Sequence, residues 1–529
     1  MNYDFIVIGG GSSGCVTAGR LVAEHGVKVL LLEQGPMDNS MLIKMPAGTF
    51  KMMSSPSPFI KRYVSAPQEG LGGRAVAIPQ GNVIGGGSSV NVMAYTRGSA
   101  KDYDRWDDPG FTVAWNWDAL RPYFARQETN QRLAGPAHGQ DGPMSVTDPV
   151  HVAPVAPLFL KALQEKGLPW RGDFNAGELT GAGYMQVAIG NGTRCSAADG
   201  FLRPVLQNKN ITVTTEAKVV RVLLDGLRAI GVEYIVGGKT HIAHAGEVIL
   251  TAGAYATPKL LMLSGIGPGE GLRKHDIAVQ HDLPGVGANL QDHHVAFNIY
   301  RTKGNYGYFG ADKGLNAIKN LVRWLVRKNG PIATNGAETM AFTNLEDPNG
   351  EPDLQLYCIG VQWPLDGKPA PDAGLTLMAN LVRPKSRGSV TLRSADPNDD
   401  PVVDLGWMTH PDDKSRLLKA LRFLREIAST GPLSEIIAEE RHPAPQQTTD
   451  DELLRYIMET TESNYHPVGT CRMGPASDKT SVLDDRLQVH GLENLRVFDA
   501  SMMPTIPSAN TNATAMAVAD RGVDLIMAS

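Results

Sequence analysis

A run of small residues, Gly9-Gly10-Gly11-Ser12-Ser13-Gly14, lies between the apolar stretch Phe5-Ile6-Val7-Ile8 and the helix-forming segment Ala18 to His25. A strand that turns this abruptly into a helix has few folds open to it. In the G-x-G-x-x-G spacing, Gly9 permits the turn, Gly11 lets the backbone approach a pyrophosphate, and Gly14 lets the helix pack closely on the strand. The N–H groups of the first helical turn have no intrahelical partner and carry the positive end of the dipole, so Ser12 and Ser13 mark an anion site. A second apolar run, Val27 to Leu32, ends at Glu33. An acid about 20 residues beyond the glycines accepts from ribose hydroxyls and repels a 2′-phosphate, which indicates a dinucleotide other than NADP. The expected element is a Rossmann-like α/β domain.

With 529 residues the chain exceeds what one hydrophobic core supports, and two domains are expected. A formal net charge of -5 with no long run of like charges excludes a nucleic-acid partner. Cys15, Cys195, Cys358 and Cys471 are far apart and form no C-x-x-C, so neither a metal site nor a disulfide framework is expected. No secretion signal opens the chain, and no stretch approaches the roughly 18 apolar residues of a transmembrane segment. A cytoplasmic protein is expected.

Gln80 to Asn91 contains the glycine-serine run Gly85-Gly86-Gly87-Ser88-Ser89, whose successive N–H groups suit anionic oxygens. Strand-like segments rich in Val, Ile and Thr recur between Ile211 and Leu250 and end in the small-residue turn Thr251-Ala252-Gly253-Ala254. Near the end, Leu495 to Ala500 reads as a strand that delivers Asp499 to an edge. A proline-bounded loop then leads into a helix, Ala513 to Met527, with Asn510 and Asn512 as caps. Residues 1–101, 189–292 and 465–529 thus read as one discontinuous nucleotide domain. Residues 102–188 and 293–464, where the βαβ rhythm is lost, read as a substrate domain with a separate sheet that includes Leu375 to Val382 and Ser389 to Leu392. Within it Leu315, Ile318, Val322 and Leu325 repeat at helical spacing, with Lys319, Arg323 and Arg327 on other faces. Such a helix suits peripheral contact with a membrane, at its inner face, or packing between domains; packing is expected.

Asn464-Tyr465-His466-Pro467 brings a histidine, the side chain best matched to proton transfer near neutral pH, to the point where the chain returns to the nucleotide domain. Together with Gly9 to Gly14, Glu33, Gly85 to Asn91, Gly253 to Gly267, Leu283 to His293 and Asp499 to Asn512, this segment resembles the glucose-methanol-choline oxidoreductase family, in the family's order and over essentially the whole chain. The likeness leans toward bacterial sorbose and sugar-alcohol dehydrogenases, with choline dehydrogenases more distant.

The resemblance implies the two-domain GMC fold: a Rossmann-like FAD-binding domain and an α+β substrate domain with an antiparallel sheet. It implies FAD held non-covalently, because the position where relatives attach flavin through histidine is Val90. FAD contacts are implied for the opening motif and Glu33, for Gly86, Gly87, Ser88, Asn91, Val92, Met93 and Ala94, and for Val219, Ala252 and Gly253. At the chain's end they are implied for Asp499, Ala500, Asn510, Thr511 and Asn512. His466 takes the family's base position and Asn510 its second catalytic position, with Glu338, Tyr357 and Tyr465 beside the substrate. The reaction implied is oxidation of a small-molecule primary alcohol, of a polyol, sugar or related compound, with electrons passed to a quinone or dye, or to O2 as the alternative acceptor. Tyr357 stands where choline-oxidising relatives have histidine, so choline is expected to be a poor substrate. The family's first motif usually carries Arg and Lys where this chain has Gln80 and Asn82. Alternatives are a choline or aryl-alcohol enzyme of the same family, and an FAD-containing lyase without net redox turnover.

Overall fold

In the computed structural model, which describes residues 2–365, 367–368 and 370–528, the opening motif sits where its spacing predicts. Strand Asn2–Ile8 runs into Gly9-Gly10-Gly11, and helix Ser12–His25 begins at once and ends on Gly26 in a left-handed conformation. The side-by-side parallel strands are, in order, Ile211–Thr214, Val29–Leu32, Asn2–Ile8, the end of Lys239–Leu250, and Leu495–Val497. Lys239–Leu250 is long enough to leave this layer and pair antiparallel with Arg228–Val236, which pairs in turn with Ala217–Asp225. All of Val29–Leu32 is buried, as expected of a strand covered on both faces. Residues one or two positions past the ends of four of these parallel strands, Gly9, Glu33, Thr251 and Asp499, all line one large cavity. Parallel α/β sheets bind ligands outside the carboxyl ends of their strands, and here that end is also where the second sheet begins.

The second sheet has the strand order Ile437–His442, His294–Thr302, Gly374–Leu381, Leu354–Ile359, Thr339–Thr343, Gly181–Tyr184, all antiparallel. Its two faces do different work, in the alternation a strand imposes. Leu354, Leu356, Cys358, Leu375, Leu377 and Ala379 pack with Leu417, Leu421 and Leu424 of helix Pro411–Ala428. From the other face Val295, Phe297, Tyr357, Ile359 and Met378 roof the cavity. Ser389–Thr391 does not join this sheet; it pairs only with Val402–Asp404 in a small ribbon. The final helix is Asn512–Met527, and its N-cap is Thr511 rather than Asn510 or Asn512; no side chain caps it. Instead Asn512 Oδ1 accepts from Ser12 Oγ at 2.7 Å, and Ser13 Oγ donates to the Ala515 carbonyl at 3.0 Å. Two helix N-termini are thereby clamped side by side on the cavity.

The expectation for helix Gly314–Arg327 is overturned. Its apolar stripe is not packed between domains; Leu315, Ile318, Val322, Leu325 and Val326 are exposed, and Trp324 alone is buried. Among the described residues, no helix is long and apolar enough to cross a membrane.

Candidate active site

The glycines of the opening motif divide into those the chain itself fills and those it leaves open. A Cβ on Gly14 would lie 1.8 Å from the Gly9 carbonyl oxygen, and one on Gly9, at φ +101°, 2.6 Å from the Thr251 oxygen. A Cβ on Gly86, at φ +52°, would meet Gly11 Cα at 2.7 Å, so the two glycine turns touch backbone to backbone. By contrast, a Cβ on Gly87 or Gly253 meets nothing within 4 Å, and both residues line the cavity. Bare backbone facing a cavity, beside two helix N-termini, is the cradle a dinucleotide pyrophosphate requires. The Tyr255 hydroxyl and Asn464 Nδ2 also lie on this wall, buried and without a protein partner among the described residues.

The cavity has a volume of about 420 Å³ and runs from Glu33 to His466. Glu33 binds its own surroundings: Oε2 accepts from Gly10 N and Oε1 from Gly35 N, each at 2.7 Å, while burial pushes its pKa up. Gly11, Ser12, Ser13, Asn91, Val92, Met93, Ala94, Val219 and Ala252 lie along its length. Ala500, Thr511 and Asn512 lie there too. Asp499 reaches the wall with its carboxylate already used, accepting from Gly253 N, Thr257 Oγ1, Ser501 N and Ser501 Oγ at 2.6 to 2.8 Å. Gly14 and Ser88 stand behind the wall. Ser88 Oγ donates to the Gly85 carbonyl at 2.6 Å and accepts from Ala197 N at 3.0 Å, so it braces the second glycine turn.

At the other end the structure brings His466 and Asn510 together. Asn510 Oδ1 faces three donors, Thr96 Oγ1 at 3.0 Å, Tyr357 OH at 3.1 Å and Gln355 Nε2 at 3.2 Å. This orients the amide so that Nδ2 donates to His466 Nε2 at 3.2 Å. His466 Nε2 therefore carries the lone pair and Nδ1 the proton, which is donated to His293 Nδ1 at 3.0 Å. His293 in turn donates from Nε2 to the Val382 carbonyl at 3.2 Å. The relay fixes both tautomers. Burial holds the His466 pKa down to about 3, so the ring is a neutral acceptor at physiological pH.

The backbone is held by Asp292, whose Oδ1 accepts from His466 N at 2.9 Å and Oδ2 from Ser463 Oγ at 2.5 Å. Between these anchors Tyr465 adopts φ +64°, a left-handed strain for a bulky residue, and Ser463 Oγ accepts from its N–H at 2.7 Å. Burial raises the Asp292 pKa to about 7. Asp292 and His466 then act oppositely on stability. Between about pH 3 and 6.5 only unfolded His466 binds a proton, so stability rises with pH; between about 4 and 7 only native Asp292 does, so stability falls with pH. Asp292→Asn removes the second slope. Its unfolding free energy minus that of wild type, followed by urea titration, should rise by about 1.4 kcal/mol per pH unit between about 4 and 7. A difference that does not change with pH contradicts this assignment.

Tyr357 and Tyr465 line the cavity, but Glu338 does not. Its carboxylate is held within the protein, where Tyr308 OH and Thr334 Oγ1 donate to it. Besides Glu33 and Asp499, the cavity is lined by the carboxylate of Glu462, whose Oε2 accepts from Trp363 Nε1 at 3.2 Å. The sequence alone gave no role to Asp292, His293, Thr96, Gln355 or Glu462. The run Gln291-Asp292-His293 was the one available signal, a carboxylate and an imidazole adjacent within a resembling segment.

Two family models, both described as GMC oxidoreductase, match residues 3–295 and 384–519. The chain belongs to the GMC oxidoreductase family. Over 99 % of its length it is 37 % identical to an alcohol dehydrogenase [acceptor] of Pseudomonas putida, 96 % of which is covered. It is 36 % identical to an oxygen-dependent choline dehydrogenase of Photobacterium profundum, over 99 % of this chain and 93 % of that one. Among solved structures it superposes on pyridoxine 4-oxidase from Mesorbium loti with a TM-score of 0.91 at 28 % identity, both chains covered in full. A formate oxidase from Aspergillus oryzae RIB40 gives 0.91 at 27 % identity, covering 100 % of this chain and 98 % of that one. The GMC fold and a flavin-dependent oxidoreductase acting on CH–OH groups follow from these likenesses. GMC oxidoreductases bind FAD, and the open glycine backbone between Glu33 and His466 suits that dinucleotide.

Proposed function

We propose that this protein oxidises a primary alcohol carried on an apolar or aromatic body to the aldehyde. The observation that carries the reading is the His293–His466–Asn510 relay, which sets the His466 Nε2 lone pair and the Asn510 amide donor 3.2 Å apart on the cavity wall, where an alcohol oxygen that enters between them meets both. Bound FAD supplies the two-electron acceptor for the hydride that leaves the alcohol carbon. His466 Nε2 takes the hydroxyl proton, and its burial prevents solvent from protonating it first. Asn510 Nδ2 donates to the oxygen as negative charge develops there, in an orientation already set by Thr96, Gln355 and Tyr357.

The roof above this pair is Val295, Phe297, Ile359, Trp363 and Met378. Such walls favour an alkyl or aryl alcohol over a polyol or sugar, each of whose hydroxyls would need a partner when buried. A second reading, a cationic alcohol of the choline type, is favoured by Glu462 on the wall beside Trp363, with Phe297 stacked on that indole at 6.1 Å. Steady-state turnover with a soluble dye should rank benzyl and medium-chain primary alcohols above sorbitol and choline. Choline turnover that exceeds the neutral alcohols and collapses in Glu462→Gln would establish the second reading instead.

The electron acceptor is a quinone or comparable carrier, or O2. Both acceptors have a named relative at this level of identity, an alcohol dehydrogenase [acceptor] at 37 % and an oxygen-dependent choline dehydrogenase at 36 %. FAD is held without a covalent bond. Val90 has no nucleophile, and among the described lining residues there is no cysteine and His466 is the only histidine. Acid precipitation should therefore release all the flavin as FAD; yellow colour retained in the washed pellet contradicts this.

A further inference from the structure

Helix Gly314–Arg327 is mounted on the protein by one side chain. Trp324 is 2 % exposed and its Nε1 donates to the Gly192 carbonyl at 2.7 Å, while Lys328 Nζ lies 4.0 Å over the same ring. The helix then passes through Gly330, and the Ile332 carbonyl accepts from Ala47 N at 3.1 Å, so the mounting is firm at its C-terminal end. Among the described residues, nothing covers the stripe away from Trp324. Leu315 is 84 % exposed, Val326 76 %, Ile318 62 % and Val322 54 %, with Leu325 and Leu321 also in contact with water. At about 100° per residue these six fall within an arc of about 140°, the width of a stripe that ordinarily faces a core.

Beside the stripe, on one flank, stand Lys319, Arg323 and Arg327. Lys313 and Lys328 close the two ends, and residues 313–330 contain no acid, in a chain of net charge -5. Among the described residues none of these five cations forms an ion pair. Long cationic side chains flanking an apolar face are placed to reach phosphate headgroups while the apolar side chains enter the acyl boundary. A second copy docked through the same face would bring the same cations and, within residues 313–330, no acid to pair them. We propose that helix Gly314–Arg327 docks this enzyme on the surface of an anionic lipid bilayer, lying in the interface without crossing it. The proposal does not depend on the substrate reading.

The test uses the FAD-loaded full-length protein, sedimented with phosphatidylcholine vesicles with and without phosphatidylglycerol. Binding is expected to the anionic vesicles and to fall as salt rises. The triple variant Lys319→Ala, Arg323→Ala, Arg327→Ala should bind about 100-fold more weakly, roughly fivefold per cation removed. Leu315→Asp with Val326→Asp should abolish binding while leaving the bound flavin content and the thermal unfolding midpoint unchanged, which shows that the variant is folded. Wild-type protein that stays in the supernatant, or a double variant that binds like wild type, overturns the proposal. So does a wild-type dimer, free of lipid, that the double variant converts to monomer, since the face would then belong to a second copy.

Discussion

Replacing His466 by alanine is expected to slow anaerobic flavin reduction by about 10² to 10⁴-fold while the protein stays yellow. The imidazole lone pair is the acceptor that the relay from Val382 through His293 presents to the alcohol, and among the described lining residues His466 is the only histidine. The nucleotide end, at Gly11, Glu33 and Gly87, lies at the other end of the cavity and should bind FAD as before. Asn510→Ala should slow reduction less, because Thr96, Gln355 and Tyr357 remain as donors near the vacated amide and water can reach them. Stopped-flow absorbance with one good alcohol measures both. Near-wild-type reduction in His466→Ala removes it as the base, and a larger loss in Asn510→Ala than in His466→Ala reverses the two roles.

Gly14→Ala should abolish flavin retention. The added Cβ would sit 1.8 Å from the Gly9 carbonyl oxygen and 2.9 Å from Thr251 Oγ1, and the first of these is backbone in a turn that cannot give way. Relief requires helix Ser12–His25 to move off strand Asn2–Ile8, which displaces Ser12 from Asn512 and Ser13 from Ala515 and so parts the two helix N-termini. The expected cost is several kcal/mol, in the range of severe overpacking, and falls directly on the pyrophosphate cradle. Purified variant should be colourless or insoluble. Gly87→Ala is the control for folding, since its Cβ meets no protein atom within 4 Å; it should fold normally, with its effect confined to FAD affinity. Full flavin content in Gly14→Ala would contradict the packing account.

The nucleotide half was legible because each of its parts is punctuated. Small residues end the first strand, Glu33 ends the second, and Asp499 follows the last, so each cavity-lining position sits beside a break in an apolar run. The second sheet offered no such marks. Leu354–Ile359 and Gly374–Leu381 are buried on both faces, one under a helix and one over the cavity, so the alternation that separates Tyr357 from Leu356 does not appear as polarity. The candidate catalytic cluster was only half legible for a related reason. It joins Thr96, His293, Gln355, Tyr357, His466 and Asn510, from segments hundreds of residues apart, and a pattern within one segment cannot reveal a hydrogen-bond relay. Glu338 shows the converse, a carboxylate in a resembling segment whose side chain points the other way. In helix Gly314–Arg327 the period was readable but the side was not, because an apolar stripe normally implies a core and here faces water.

The account rests on net oxidation of an alcohol by enzyme-bound FAD, and the most direct test is anaerobic mixing of the purified protein with a primary alcohol such as benzyl alcohol while flavin absorbance is followed. The expected result is full bleaching with one aldehyde formed per flavin, followed by recovery of colour when a quinone or O2 is admitted. An alcohol-saturated enzyme whose oxidised spectrum persists, with cleavage of an added cyanohydrin in its place, would make it a lyase and contradict the account.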